Sequence, residues 1–276
     1  MSLIKSKSDI KQLVEGGKII GQILEKLGKM AKAGVSTWEI DQAAEKMILA
    51  AGGRPAFKGY KGYPEDTPFP TTICASCNHE LVHGIAKKNV ILKDGDIFTI
   101  DIGMEWPVRK EKEVRSKEKS ERGCFTDTAI TVVVGKADKE VEKLLRITRE
   151  SLEVGIKAAQ PGNSVADIGK AIEDFVKKQG NYGIVRDLVG HGVGHAVHED
   201  PRVPNYYDKK LEHFILKPGM VIAIEPMISL GSHHVKTGPD GWTIVMADGS
   251  LCSHSEHTIV ITEKGNLVIT RRPSEK

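Results

Sequence analysis

The sequence predicts an α+β fold made of two pseudo-symmetric halves around a curved, mainly antiparallel sheet with helices on its outer face, and three observations lead there. The stretch LKDGDIFTID at Leu92 to Asp101 returns as LKPGMVIAIE at Leu216 to Glu225, with six of ten positions identical or chemically equivalent. Upstream, Gly34-Val35-Ser36 with Ile40, Ala43 and Glu45 matches Gly162-Asn163-Ser164 with Ile168, Ala171 and Glu173; downstream, Thr126-Asp127-Thr128 parallels Ser255-Glu256-His257. In each half helical periodicity precedes β-branched runs, the order of an α+β layout with antiparallel pairing. An offset of 124 to 129 residues is too long for a solenoid repeat. The 276 residues therefore read as a single domain with halves at about 9–137 and 138–271.

From Ser8 to Met30, apolar residues at Ile10, Leu13, Val14, Ile20, Ile23, Leu24 and Leu27 keep the spacing of an amphipathic helix capped near Ser8. A second helix runs from about Ser36 to Ala50, where Gly52-Gly53 and Pro55 stop it. The Gly/Tyr/Pro-rich segment Lys58 to Pro70 reads as an irregular loop, aromatic enough to line a pocket. Strands follow near Thr71 to Cys74, Ile97 to Ile102 and Ala129 to Val134. The second half predicts helices around Lys139 to Ala159 and Ser164 to Gln179, then strands near Val221 to Ile224, Thr243 to Met246, Thr258 to Thr262 and Leu267 to Arg271. Between the acids of the first half lies Met104 to Gly123, in which twelve of twenty residues are charged. Such a stretch buries too little apolar surface to order itself and reads as an exposed insertion in a hairpin.

Bulk properties narrow the partners. Forty basic and thirty-seven acidic residues leave a net charge of +3, which by itself calls for neither nucleic acid nor a membrane surface. Four cysteines at irregular spacing are too few for a disulfide framework, so a reducing compartment is expected. The first thirty residues hold no apolar run of signal or membrane length, which makes the expectation a cytoplasmic, soluble monomer.

The repeat carries its chemistry in four acids, Asp101 with Asp127 and Glu225 with Glu256, each read as lying at a strand end. Carboxylates gathered at one place repel unless cations neutralise them, and divalent metal is the simplest resolution. The segment GHGVGHAVHEDP at Gly190 to Pro201 adds imidazoles. Its alternating glycines disfavour a helix, so His191 and His198 are expected on an extended or turning segment. One imidazole with four carboxylates, two able to bridge, suits a two-metal hydrolase using manganese, iron, cobalt or zinc.

Two other motifs compete. His79-Glu80-Leu81-Val82-His83 spells the H-E-x-x-H zinc signature, but Pro68, Pro70 and Gly84 leave little room for the helix it requires. Cys74-x-x-Cys77 is a lone pair without the second pair of a zinc site, so Cys74 is read as lining a pocket. His195, His213, His233, His234 and His254 belong to no motif and default to surface or hydrogen-bonded roles.

The order Asp101, Asp127, His191, Glu225, Glu256, together with GHGVGHAVHEDP, IEP at Ile224 to Pro226 and SEHT at Ser255 to Thr258, resembles the type I methionine aminopeptidases of pita-bread fold from about Asp9 to Arg271. The resemblance implies a single catalytic domain that removes the initiator methionine from nascent polypeptides by water activated at two divalent ions. It assigns Asp101 to one ion, His191 and Glu225 to the other, and Asp127 and Glu256 to both. It makes Glu225 the proton carrier, His83 and His198 the peptide contacts, and Tyr60, Tyr63, Cys74 and Trp242 the methionine pocket. This chain departs from the family pattern at Val197 and Leu188, where aromatic or larger residues are usual, and in the charged insertion. A proline-directed peptidase of the same fold is the nearest alternative, and a non-catalytic binding protein would be expected to have lost ligands that are all retained here. The insertion's mixed charge favours a solvated loop; its cluster Arg109, Lys110, Lys112, Arg115, Lys117 and Lys119 raises the alternative of a ribosome contact through 107–122.

Overall fold

The computed structural model describes residues 2–108 and 123–275. Helix α1 (Lys7–Met30) starts at Ser6, whose hydroxyl accepts the Asp9 amide while Asp9 returns a bond to the Ser6 amide. The cap thus lies two residues earlier than expected, because Asp9 completes a capping box that Ser8 cannot form. Helix α2 (Thr37–Ala50) begins on the same device at Ser36 and Glu39. The first half continues through β1 (Arg54–Pro55), β2 (Ile73–Cys77), β3 (Glu80–Val82), β4 (Ile97–Trp106) and β5 (Cys124–Val133).

Helices α3 (Lys139–Ala158) and α4 (Val165–Gln179) open the second half, α4 capped by the Ser164–Asp167 box. Short strands follow: β6 (Gly183–Ile184), β7 (Gly190–Gly192), β8 (Glu199–Val203), β9 (Val221–Ile224) and β10 (Met227–Ser229). The chain ends through β11 (Val235–Thr237), β12 (Ile244–Met246), β13 (Cys252–His254), β14 (His257–Thr262) and β15 (Gly265–Val268). Among the described residues all strand pairs are antiparallel. No helix among the described residues is long and apolar enough to cross a membrane.

The sequence repeat is a structural one. Ser36 bridges Ile91 and Ser164 bridges Ile215. Gly34 N donates to Leu92 O at 2.9 Å and Gly162 N to Leu216 O at 3.0 Å. The turn glycines Gly95 and Gly219 take φ of 90° and 89°. Each half has its own core: α1 and α2 press Ile20, Leu24, Leu27, Ile40 and Ile48 against Phe98, Ile100 and Ile102 of β4, while α3 and α4 press Leu144, Ile147, Ile168 and Ile172 against Ile222, Ile224 and Ile259. Burying side chains of this size stabilises by about 1.5–3 kcal/mol each before entropy is counted.

Two expectations change. Asp101 and Asp127 stand in mid-strand of two paired ten-residue strands, not at strand ends. The first part of the charged stretch is core rather than insertion: Met104 is fully buried, Glu105 is buried and ion-paired to Arg54, and Trp106 donates its indole N–H to Ala51 O at 3.0 Å. Apolar contacts and a partnered acid thus carry the strand past the point where local charge suggests a loop. Residues 109–122 lie outside the described residues.

Candidate metal centre

Strand register brings the acids together. Asp101 on β4 faces Ala129, and Asp127 on β5 faces Gly103, so the two carboxylates are diagonal neighbours on one face of the hairpin. Cys74 on β2 sits directly opposite Asp101. From the second half, Glu225 follows β9 and Glu256 lies between β13 and β14; all four acids are buried.

The halves are joined at this point by threonine side chains and by backbone. Thr128 Oγ1 donates to Glu256 O at 2.8 Å, Glu256 N donates to Ala129 O at 3.1 Å, and Thr131 Oγ1 donates to His254 O at 2.8 Å. β5 of the first half is thereby held against the β13–β14 edge of the second.

His191 lies on β7, an extended strand as its glycines suggest. A Cβ at Gly192 would stand 2.0 Å from Asp200 O, so only glycine lets β7 and β8 close there. His191 Nε2 is 3.5 Å from Asp127 Oδ2 and 3.7 Å from Glu225 Oε1. Asp127, His191 and Glu256 offer ligand atoms that all lie within 4.8 Å of one another.

Burial dominates the electrostatics. It pushes the Glu225 carboxyl up to about 8, with His191 opposing and Asp127 adding. It pushes Asp101 up to about 7, with His254 opposing and Asp127 and Glu225 adding. Asp127 and Glu256 are raised for the same first reason. Asp101 Oδ1 is buried without a hydrogen-bond partner among the described residues. Four buried acids whose carboxyls are raised for want of a counter-charge, an orphaned carboxylate oxygen and one imidazole within reach form a donor set that fits divalent cations of the borderline class.

The acids open onto a cavity of about 330 Å³ whose apolar end is Phe57, Phe69, Cys74 and Trp242. Phe69 and Trp242 meet edge to face at 5.3 Å. Burial, with Asp101 adding, raises the Cys74 thiol and keeps it protonated, a soft neutral surface. His83 lines the cavity in the left-handed region at φ 57°, a strained position of the kind found at functional sites, and burial pushes its imidazole down to about 4. His198 packs its ring 4.5 Å from that of His191, and its Nδ1 lies 2.8 Å from the Tyr60 hydroxyl.

Of the site residues expected from sequence, Tyr60, Cys74, His83, Asp101, Asp127, His191, His198, Glu225, Trp242 and Glu256 all line this cavity. Tyr63 does not. It is 69% exposed at a loop tip, because Gly59 and Tyr60 pair with Phe69 and the Tyr63–Asp66 turn points outward. Phe57 and Phe69, at the two ends of that loop, line the pocket instead; the aromatic composition signalled the loop but not which ring turns inward. The H-E-x-x-H string is a turn and strand, with the Glu80 carboxylate accepting the Cys77 amide at 2.8 Å. His254 was given no role by its sequence, yet it is fully buried with Nε2 3.3 Å from Glu225 Oε2. Its position two residues before the repeated acid Glu256 was the available signal.

The sequence profile of metallopeptidase family M24 matches residues 11–263. Methionine aminopeptidase 1 of Bacillus subtilis (strain 168) is 43% identical over 271 residues, covering 98% of this chain and 100% of the relative. Methionine aminopeptidase of Escherichia coli (strain K12) is 36% identical over 273 residues, covering 99% and 95%. The crystal structure of methionine aminopeptidase from Thermotoga maritima superposes with a TM-score of 0.85 at 36% identity, covering 98% of this chain and 99% of that one. A prolidase from Pyrococcus horikoshii shares the fold at a TM-score of 0.71 and 23% identity, the likeness covering 64% of its length. With the M24 profile matched over residues 11–263, near full-length relatives at 36–43% identity and the same duplicated pita-bread fold, this chain belongs to metallopeptidase family M24, and within it to the type I methionine aminopeptidases.

Proposed function

We propose that this chain hydrolyses the bond after an N-terminal methionine of nascent polypeptides in the cytoplasm, acting as one catalytic domain and as a monomer. The observation that carries the reading is the junction of the acid centre with a closed, soft and aromatic pocket: Phe57, Phe69, Cys74 and Trp242 suit a thioether.

Two divalent ions would be held by Asp101 on one side and by His191 and Glu225 on the other, with Asp127 and Glu256 shared. Cobalt, manganese, iron and zinc all suit this set. Bound there, such ions supply Lewis acidity and lower the pKa of water toward neutrality. Glu225, its carboxylate ionised beside the bound ions, takes the proton of the attacking water and passes it to the leaving amine. With the Tyr60 hydroxyl, 2.8 Å away, donating to His198 Nδ1, Nε2–H is left as the donor toward the peptide. His83 and His198, held neutral, then donate to the developing oxyanion without placing a competing positive charge beside the ions. The free amine of the substrate is recognised at the acid centre, which restricts cleavage to the first residue.

The test is to strip the protein with chelator, restore single divalent ions, and follow release of the first residue from Met-Ala and Pro-Ala starting peptides. Release of methionine only after an ion is restored is expected. Cleavage without metal would overturn the reading, and preference for the proline peptide would overturn it in favour of the proline-directed alternative. For 107–122, the cluster of lysines and arginines motivates a ribosome contact. Deleting the segment should weaken co-sedimentation with ribosomes at low salt, and unchanged binding would remove that proposal.

A further inference from the structure

The turn between β7 and β8 carries His198, and its neighbour Glu199 ties that turn to the start of the chain. The Glu199 carboxylate accepts the amides of His195 at 2.5 Å and Ala196 at 2.7 Å, and pairs with the Lys5 ammonium. Both side chains are buried, at 1% and 6% exposure. Lys5 Nζ also donates to Ser2 O at 3.2 Å, so the ammonium is enclosed by its own arm. The arm is stitched to the second half by Lys5 N donating to Gly219 O at 2.8 Å and by an Ile4–Met220 bridge. Gly194 lies against the Lys5 stem: at φ 137°, a Cβ there would stand 2.6 Å from Lys5 Cε. Further contacts fix the same turn, with His195 Nε2 3.2 Å from Asp9 Oδ2 and Phe125 N donating to Gly194 O at 2.8 Å. Leu3 borders the outer side of His191 and His198.

We infer that Lys5 is a positioning residue for the reaction, acting through Glu199 to hold the 194–199 turn so that His198 faces the cleft. The inference rests on the peptide-contacting role proposed for His198. A carboxylate that orders two amides inside the protein needs a counter-charge, and Lys5 supplies it. Removing Lys5 strands that charge; rotating it outward drops both amide bonds and frees the turn. Stability alone does not account for such a pair, since a buried ion pair exchanged for apolar residues of similar size is often neutral or stabilising. What the apolar exchange cannot reproduce is the acceptor for the two amides.

The experiment separates these effects. Lys5→Met should lower both thermal stability and kcat, the latter by about 100-fold for a misplaced contact group, with KM and metal content little changed. The double variant Lys5→Met with Glu199→Leu should recover thermal stability while kcat stays low. Glu199→Gln keeps an amide acceptor and should retain more kcat than the double variant. Full kcat in Lys5→Met, or recovery of kcat together with stability in the double variant, would overturn the inference and leave the pair a purely structural one. His198→Ala is the companion measurement: loss of activity there with full activity in Lys5→Met sinks the clamp alone, whereas full activity in His198→Ala sinks the His198 role and the inference with it.

Discussion

Thr258 holds Asp127 on three atoms: its hydroxyl lies 2.7 Å from the Asp127 carbonyl oxygen and 3.0 Å from Oδ1, and accepts the Asp127 amide at 3.2 Å. The central acid of the first half is therefore oriented by a residue of the second. Thr258→Val keeps the shape and removes these bonds. Metal affinity measured by calorimetry should fall about 10- to 100-fold, the usual cost of losing a group that orients a ligand. Unchanged affinity would mean that Asp127 is held well enough by its strand.

Asp127→Ala and His191→Ala should each abolish methionine release and most metal uptake while leaving the far-ultraviolet circular dichroism of the wild type. Both side chains project from strands into the cleft and neither fills an apolar core. A variant that retains metal and activity would remove that residue from the ligand set.

The pH dependence of the metal-free protein follows from the raised carboxyls. Burial puts Glu225 at about 8 and Asp101 at about 7 in the folded state, above their values in the unfolded chain. The native state then binds more protons than the unfolded one, so the contribution of these groups is present at acid pH and is lost as pH rises through 7 to 8. Thermal unfolding of the chelated protein should show a falling Tm between about pH 5 and 8, and restoring metal should flatten the dependence. A chelated protein whose Tm rises over that range would contradict the assignment.

Tyr60 and Tyr63 separate pocket from surface. Tyr60→Phe deletes the hydrogen bond to His198 Nδ1 and should reduce kcat/KM by about 2- to 13-fold, the equivalent of about 0.5–1.5 kcal/mol. Tyr63→Ala, at an exposed loop tip, should leave kcat/KM within about twofold, since surface changes cost about 0.5 kcal/mol or less. The reverse order of effects would return Tyr63 to the pocket.

Much of this was legible beforehand because repeats leave regular traces. The capping serines Ser36 and Ser164, the turn glycines Gly95 and Gly219 and the four acids recur at nearly constant offset, and the serines and glycines occupy the same local structure in both halves. The helices came from periodicity, and β9 was bounded as expected at Val221–Ile224. Boundaries failed where long-range contacts outweigh local composition. Glu105 belongs to a strand because Arg54 pairs with it, and Tyr63 turns outward because Asp66 closes its turn.

The sequence by itself determined the duplicated α+β architecture and the family, and it singled out the four acids and His191 that the fold brings to one cavity, since spacing and residue type are written directly in the chain. Only the tertiary structure decided that Asp101 and Asp127 lie in mid-hairpin, that Phe57 and Phe69 close the pocket, that His254 stands beside Glu225, and that Lys5 reaches Glu199 across the molecule. The physical reason is distance along the chain. A hydrogen-bond register, an inward-facing ring or a buried ion pair depends on which segments meet, and local residue preferences hold no record of partners nearly two hundred positions away.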